Sequence, residues 1–318
     1  MTISCKRFAL IGAAGYVAPR HMAAIKNTGN QITAAIDKHD SVGVLDSYFP
    51  EAEFFTEFER FDRHIDKLRR RGTGIDYLSV CSPNYLHDSH IRFGLRSNAN
   101  VVCEKPLVLN PWNIDGLQDL ERETGFSVST ILQLRLHPSV VNIKKNLECN
   151  KRSRVHDVDL TYVTSRGRWY LQSWKGVAEK SGGIATNIGI HFFDMLHYLF
   201  GNVLESKVFL QEATKASGTL NFSSANVRWF LSIDANDLPK AVAGSGMSTF
   251  RSIHIDGEEA EFSDGFADLH RESYENILAG RGFGLHESRA AIETVSSIRG
   301  ARIAPRFGEY HPFLGNVN

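Results

Sequence analysis

Gly12-Ala13-Ala14-Gly15-Tyr16-Val17-Ala18 follows an apolar run and leads through Pro19 into Arg20-His21-Met22-Ala23-Ala24-Ile25, which has helical composition. Gly12 can make a tight turn, Gly15 lets backbone approach a pyrophosphate, and Ala18 is small enough for close helix–strand packing. The N-terminus of the following helix then offers N–H groups and a positive dipole to the phosphates. Asp37 ends the second apolar run, 25 residues after Gly12, where a carboxylate accepts hydrogen bonds from ribose hydroxyls. That favours NAD over NADP; Lys38 and His39 are the residues that would meet a 2′-phosphate. The glycines alone would suit any strand-to-helix turn, and it is strand, helix and Asp37 together that select a nucleotide. Two more polar groups follow apolar runs in the same way, Ser82-Pro83-Asn84-Tyr85-Leu86-His87 and Cys103-Glu104-Lys105-Pro106-Leu107.

A parallel sheet covered by helices would bring these segments to one edge, because ligands of open α/β sheets bind beyond the carboxyl ends of the strands. The runs Phe8–Ile11, Gln31–Ile36, Tyr77–Val80 and Asn100–Cys103 are the strands of such a sheet, and Phe58, Phe61, Ile65 and Leu68 predict an amphipathic helix over 58–71. A fifth run, Ser127–Gln133, leads to Arg135, and Pro138 opens a helix through Leu147. Beyond it, strong alternation over Arg154–Ser165 and strand-like segments at Ser206–Glu212, Gly218–Phe222, Val227–Asp234 and Ser252–Ile255 predict a second sheet. Asp256-Gly257 reads as a hairpin turn, and a helix is expected at about Gly189–Phe200. The fold class is therefore α/β: an N-terminal Rossmann domain with a parallel sheet, assigned to residues 1–125, and a C-terminal α/β domain with an open, largely antiparallel sheet, assigned to residues 126–318.

Lys+Arg and Asp+Glu both number 36, so no net charge calls for nucleic acid or an acidic membrane, and a charged ligand must be met by a local site. No apolar stretch reaches the roughly 20 residues of a membrane span. Lys6-Arg7 and the apolar Phe8–Ala14 mimic a short signal peptide, but a buried strand and nucleotide turn explain the same residues better. Cys5, Cys81, Cys103 and Cys149 stand singly, without a C-x-x-C pair, so neither a zinc site nor a disulfide framework is indicated. A soluble protein of the reducing cytoplasm is expected.

The nucleotide turn, the Ser82–His87 segment and Glu104-Lys105-Pro106 together resemble the Gfo/Idh/MocA oxidoreductase family, over nearly the whole chain. The resemblance implies a Rossmann domain with a Glu-Lys-Pro motif, an open α/β second domain and NAD bound by Gly12, Ala14, Gly15, Tyr16, Asp37, Ser82, Asn84, His87, Glu104, Lys105 and Gln133. Lys105, pinned by Pro106, becomes a fixed cation beside the nicotinamide. The family's second-domain signature is a glycine-rich stretch leading to Asp-x-x-x-His. Here Ser181-Gly182-Gly183 leads to Asn187 and His191, with Asn in place of Asp. On a continuous helix these two share a face. His191, with an ordinary pKa of about 6.5, is the expected general base; Asn187 can orient a substrate but not take its proton. The bland alternative for His191 is a buried helix histidine beside Phe192 and Phe193. Asp194 and His197 on the same helix read as structural.

Within the family, Gly12–Tyr16, Ser82–His87, Leu132–Arg135, Thr164–Tyr170, Ser173–Gly176 and Thr186–His191 resemble the branch that oxidises UDP-N-acetyl-2-amino-2-deoxyglucuronate (UDP-GlcNAcA) at C3. Such a substrate needs cations for its carboxylate and diphosphate. Lys105, Arg135, Arg166, Trp174, Lys175, Asn187 and His191 are the expected substrate residues, with Arg168 and Trp169 beside them, although each charge alone could be a solvated one and each tryptophan core. The branch further implies reoxidation of retained NAD by 2-oxoglutarate, a homotetramer whose partner subunits cover the second sheet's apolar face, and a downstream PLP aminotransferase in bacterial surface-polysaccharide assembly. No metal is required. UDP-N-acetylglucosamine ranks second, since it would leave a buried cation without its carboxylate. A non-catalytic NAD-binding sensor is the rival of another class, disfavoured by the presence of both Lys105 and His191.

Overall fold

The computed structural model describes residues 5–149, 155–260 and 268–316. The chain divides into two compact units, Met1–Gln133 with Ala267–Arg289, and Leu134–Phe266 with Ala290–Asn318. A single boundary at 125/126 makes no provision for the segment that returns to the first unit.

The first unit is a six-stranded parallel sheet, β1 (Arg7–Ile11), β2 (Gln31–Ile36), β3 (Glu53–Phe55), β4 (Tyr77–Val80), β5 (Asn100–Cys103) and β6 (Val128–Thr130), in the order β3-β2-β1-β4-β5-β6. The order reverses between β1 and β4, which is the switch point at which doubly wound sheets bind nucleotides. Phe8, Leu10, Leu78 and Val102 are fully buried because helices cover both faces: α1 (Ala18–Asn27), α2 (Gly43–Tyr48), α3 (Phe58–Arg70), α4 (His87–Arg96) and α5 (Pro111–Thr124). A return helix, Leu269–Leu278, packs on α1 and puts Tyr274 and Ile277 into the same core as Phe8, Met22 and Ile25.

The second unit carries β7 (His156–Thr164), β8 (Val203–Gln211), β9 (Lys215–Phe222), β10 (Ala225–Ser232), β11 (Thr249–Ile255) and β12 (Glu258–Glu259), in the order β12-β11-β7-β10-β9-β8. Every neighbouring pair is antiparallel except β7 and β10. The expected strand over Arg154–Ser165 begins at His156 among the described residues, Arg154 itself lying outside them. The Asp256-Gly257 turn forms as expected, both residues at positive φ between the paired Ile255 and Glu258.

One face of this sheet packs against a helix: Trp229 of β10 meets Phe193 edge-on at 5.3 Å, and Tyr162 meets Phe192 at 4.7 Å. On the other face, Val163 and Phe230 are covered by the chain's own Leu314 and Phe313. Further along that face Arg228 forms a bidentate pair with Asp159, at 2.6 and 2.9 Å. This second face is thus apolar but covered by the chain itself in one part, and charged in another. Among the described residues no helix is long and apolar enough to cross a membrane, and Cys5, Cys81, Cys103 and Cys149 are all free thiols.

Candidate active site

The nucleotide turn is dictated by its backbone. Gly12 has φ +90°, and a Cβ there would lie 2.6 Å from the Cys81 carbonyl carbon, so only glycine fits. The N–H groups of Gly12 and Ala13 donate to the Ile36 carbonyl at 2.8 and 3.2 Å, tying the turn to β2. Asp37 completes the tie: one carboxylate oxygen accepts from the Ala14 N–H and the other from the His39 N–H, both at 3.0 Å. Each oxygen keeps lone-pair capacity for a ribose hydroxyl. Helix α1 begins with Pro19 in its first turn, without a side-chain cap or an acidic residue there. Its N-terminal dipole is therefore uncompensated by the protein, as an anion site requires. Tyr16 stands exposed, with the Arg20 guanidinium 5.9 Å from its ring centre.

Beyond β4 and β5 the side chains of three expected cofactor residues have partners within the fold. Both ring nitrogens of the buried His87 face backbone carbonyls, Pro106 at 2.7 Å and Ser82 at 2.8 Å, so this ring staples the two loops together. Burial lowers its pKa, opposed by these two contacts. The Ser82 hydroxyl is 2.9 Å from Nδ1 of His90, a ring whose pKa burial pulls down to about 4. Glu104 turns inward, where Oε1 accepts from His21 and His270 and Oε2 from the Lys105 N–H. Burial alone would raise its pKa, but the hydrogen bonds and charges of the two imidazoles together hold it well below the usual carboxylate range. Lys105 itself, at a cis peptide with Pro106, is half-buried, and Asn84 is buried. Gln133 Oε1 is buried without a hydrogen-bond partner, an acceptor suited to an amide N–H such as a nicotinamide carboxamide carries. The glycine cradle, the uncapped helix and this orphaned acceptor fit a dinucleotide.

In the second unit, the helix expected to carry Asn187 and His191 is two helices. Asn187 closes α9 (Gly183–Asn187), after α6 (Pro138–Cys149), α7 (Trp169–Gln172) and α8 (Ala178–Ser181), and His191 lies in the first turn of α10 (Ile190–Phe200). The Ile188 and Gly189 amides both turn back to the Ile184 carbonyl, so the regular i, i+4 hydrogen-bond ladder is interrupted between the two helices although both residues keep helical dihedrals. Asn187 donates to the Tyr170 hydroxyl at 2.5 Å. Burial raises the Tyr170 pKa, opposed by the Asn187 hydrogen bond and by the charge of Arg166. Tyr170 lies inside a sequence phrase noted above, yet its role was missed: a buried tyrosine needs a partner for its hydroxyl, but sequence does not say which.

The cations divide. Arg135 gives two guanidinium nitrogens to Asp194 at 3.0 and 2.7 Å, and Asp194 is 1% exposed, so this expected substrate residue is held in a buried ion pair within the fold. Arg166 is exposed. Lys175 Nζ lies 4.8 Å from the centre of the Trp169 ring and 5.3 Å from that of Trp174, a cation between two aromatic faces. His191 is half-buried.

These features define a Rossmann oxidoreductase that holds a nicotinamide dinucleotide, and comparison with known proteins agrees. Residues 6–131 match the family model described as an oxidoreductase family, NAD-binding Rossmann fold, and residues 144–306 match that family's C-terminal alpha/beta domain. The chain belongs to the Gfo/Idh/MocA oxidoreductase family. It is 51% identical to the WlbA (WbpB) dehydrogenase of Thermus thermophilus, covering 97% of this chain and 99% of that one, with TM-scores of 0.94 and 0.93 to two structures. One is a complex with NAD and alpha-ketoglutarate, the other with NAD and UDP-GlcNAcA. Two Bacillus subtilis proteins are more distant: putative oxidoreductase YteT, 26% identical over 64% of this chain, and glucose-6-phosphate 3-dehydrogenase, 28% identical over 68%. The chain spans only about half the length of these curated relatives, 46% and 58%.

Proposed function

We propose that this chain oxidises the C3 hydroxyl of UDP-GlcNAcA to the 3-keto sugar with NAD, and that 2-oxoglutarate then reoxidises the cofactor. The observation that carries this reading is the 51% identity, over 97% of the chain, to a dehydrogenase crystallised with those three ligands. NAD, when bound, supplies the acceptor for the hydrogen leaving C3 with its electron pair. His191 accepts the hydroxyl proton, and the Lys105 ammonium stabilises the developing alkoxide. Asn187 holds Tyr170, so that amide and phenol together orient the sugar. Arg166 and Lys175 meet the carboxylate and diphosphate, and Trp174 supplies an apolar wall. In the second half-reaction the proton on His191 returns to the keto oxygen of 2-oxoglutarate as its C2 accepts the hydride, giving 2-hydroxyglutarate. A homotetramer in the cytoplasm, feeding a PLP aminotransferase of surface-polysaccharide assembly, completes the proposal.

The test is mass spectrometry of the sugar nucleotide after incubation with UDP-GlcNAcA, trace NAD and 2-oxoglutarate, in parallel with UDP-N-acetylglucosamine. Loss of two hydrogens from the uronate alone is expected. Loss from UDP-N-acetylglucosamine alone moves the assignment to that substrate, and loss from neither removes the reading.

A further inference from the structure

Behind Lys105 the first unit buries a cluster of polar side chains to which the chemistry above gives no task. Glu104 Oε1 lies 2.9 Å from His21 Nε2 and 3.1 Å from His270 Nε2, and Oε2 accepts the Lys105 N–H at 3.2 Å. His21 Nδ1 is 2.7 Å from the Tyr274 hydroxyl, which is 2.7 Å from Ser79 Oγ. These groups are all under 9% exposed, and His21 and Tyr274 are fully buried. The His21 and His270 rings meet edge to face at 5.2 Å.

The chain of contacts fixes its own proton directions. An ionised carboxylate only accepts, so both Nε2 atoms carry protons toward Glu104. His21 Nδ1 is then an acceptor for the Tyr274 hydroxyl, whose oxygen accepts from Ser79. Two imidazoles and a carboxylate with ligating atoms within 4.8 Å are also a donor set for a metal ion. Here, however, those ligating atoms are already hydrogen-bonded to one another, and His21 Nδ1 is bonded to the Tyr274 hydroxyl.

The network joins four places distant in sequence: α1, whose N-terminus faces the nucleotide turn, Ser79 of β4, the end of β5, which delivers Lys105, and the return helix. Glu104 is the junction. Its carboxylate is held by two N–H donors on one oxygen and holds the Lys105 backbone with the other, so its orientation sets that of the next residue. Removing one donor would leave a buried charge short of a hydrogen bond and free the side chain to turn. We propose that His21, His270 and Tyr274 are positioning residues that act through Glu104 to place Lys105, which makes the return helix part of the catalytic apparatus. The proposal rests on the assignment of Lys105 made above.

Three variants test it: His270→Leu removes one donor, His270→Gln keeps an N–H of similar reach, and Tyr274→Phe keeps the shape while breaking the relay to His21. The full-length chain is assayed for kcat per NAD-binding site, KM and NAD affinity. A misplacement of Lys105 lowers kcat of His270→Leu by about 10- to 100-fold, with NAD affinity and KM within about twofold, and His270→Gln recovers most of the loss. A second readout needs no sugar: the acetylation rate of Lys105, followed by peptide mass spectrometry, changes severalfold in His270→Leu and Tyr274→Phe and returns toward wild type in His270→Gln. Inactivity of the wild type on UDP-GlcNAcA would remove the functional reading and leave the labelling rates to decide this one. Should His270→Leu not fold, Tyr274→Phe decides. Wild-type Lys105 labelling in Tyr274→Phe and in folded His270→Leu, or a lowered melting temperature with unchanged kcat per site, overturns the proposal.

Discussion

In the first unit the candidate residues are set by backbone: Gly12 fits only because it lacks a Cβ, the Gly12 and Ala13 amides share the Ile36 carbonyl, and His87 staples the two loops through their carbonyls. In the second unit they are set by side chains on short pieces of helix: Asn187 on Tyr170, Arg135 on Asp194, Lys175 between two tryptophans. A backbone-built site tolerates changes of ligand poorly, whereas a side-chain-built one changes specificity by exchanging single residues. This accords with the proposed function, in which the first half holds NAD and the second meets the sugar.

The largest effect expected is on chemistry, and it should be shared by both halves. Lys105→Met and His191→Asn should each lower kcat by about 10²- to 10⁴-fold in steady-state assays, with NAD affinity near wild type in His191→Asn. If only one of them is impaired, the two halves do not contribute equally. Next come the cations of the second unit, which should split by burial. Arg135→Ala strands the buried Asp194 carboxylate and should cost about 3–5 kcal/mol in urea unfolding. Arg166→Ala, at an exposed position, should change stability by less than about 0.5 kcal/mol and raise the sugar-nucleotide KM about tenfold. Equal stability losses would break the distinction.

The smallest contrast is with pH. His90 in the first unit and His311 in the second both have pKa values that burial depresses from 6.5 to about 4. The unfolded chain therefore binds more protons between those values, so the contribution of each ring is fully present above pH 6.5 and is lost as pH falls toward 4. The limiting loss is about 3 kcal/mol per ring. Urea midpoints measured from pH 7 to 4.5 should fall, and His90→Asn or His311→Asn should flatten that fall by a similar amount in either unit.

Much of the backbone-built half was legible in sequence. Gln31–Ile36, Tyr77–Val80 and Asn100–Cys103 are strands over the residues expected, because a parallel strand buried on both faces is a short, mostly apolar run rather than an alternating one. Glu53–Phe55 escaped notice since three residues at a sheet edge carry no period. The side-chain-built half was legible in residue type more than in arrangement: Asn187 and His191 read as helical, but not as members of two helices. His21 and Tyr274 are 253 residues apart, and an amphipathic pattern tells which face of the return helix is apolar without telling what it meets. Arg135 shows the same limit, since its identity announces a charge and only the fold reveals that Asp194 neutralises it.

The return segment also bears on how the molecule is made. Tyr274 and Ile277 fill the core beside Phe8 and Met22, yet they leave the ribosome only after the whole sheet of the second unit has been translated. The nascent Rossmann half must wait, its core unclosed, while a sheet it does not own is synthesised, so the two halves cannot mature strictly in the order they are made. Cutting the gene after codon 133 would accordingly yield an N-terminal fragment missing a helix of its own core, and swapping the second half between relatives would carry that helix along with it.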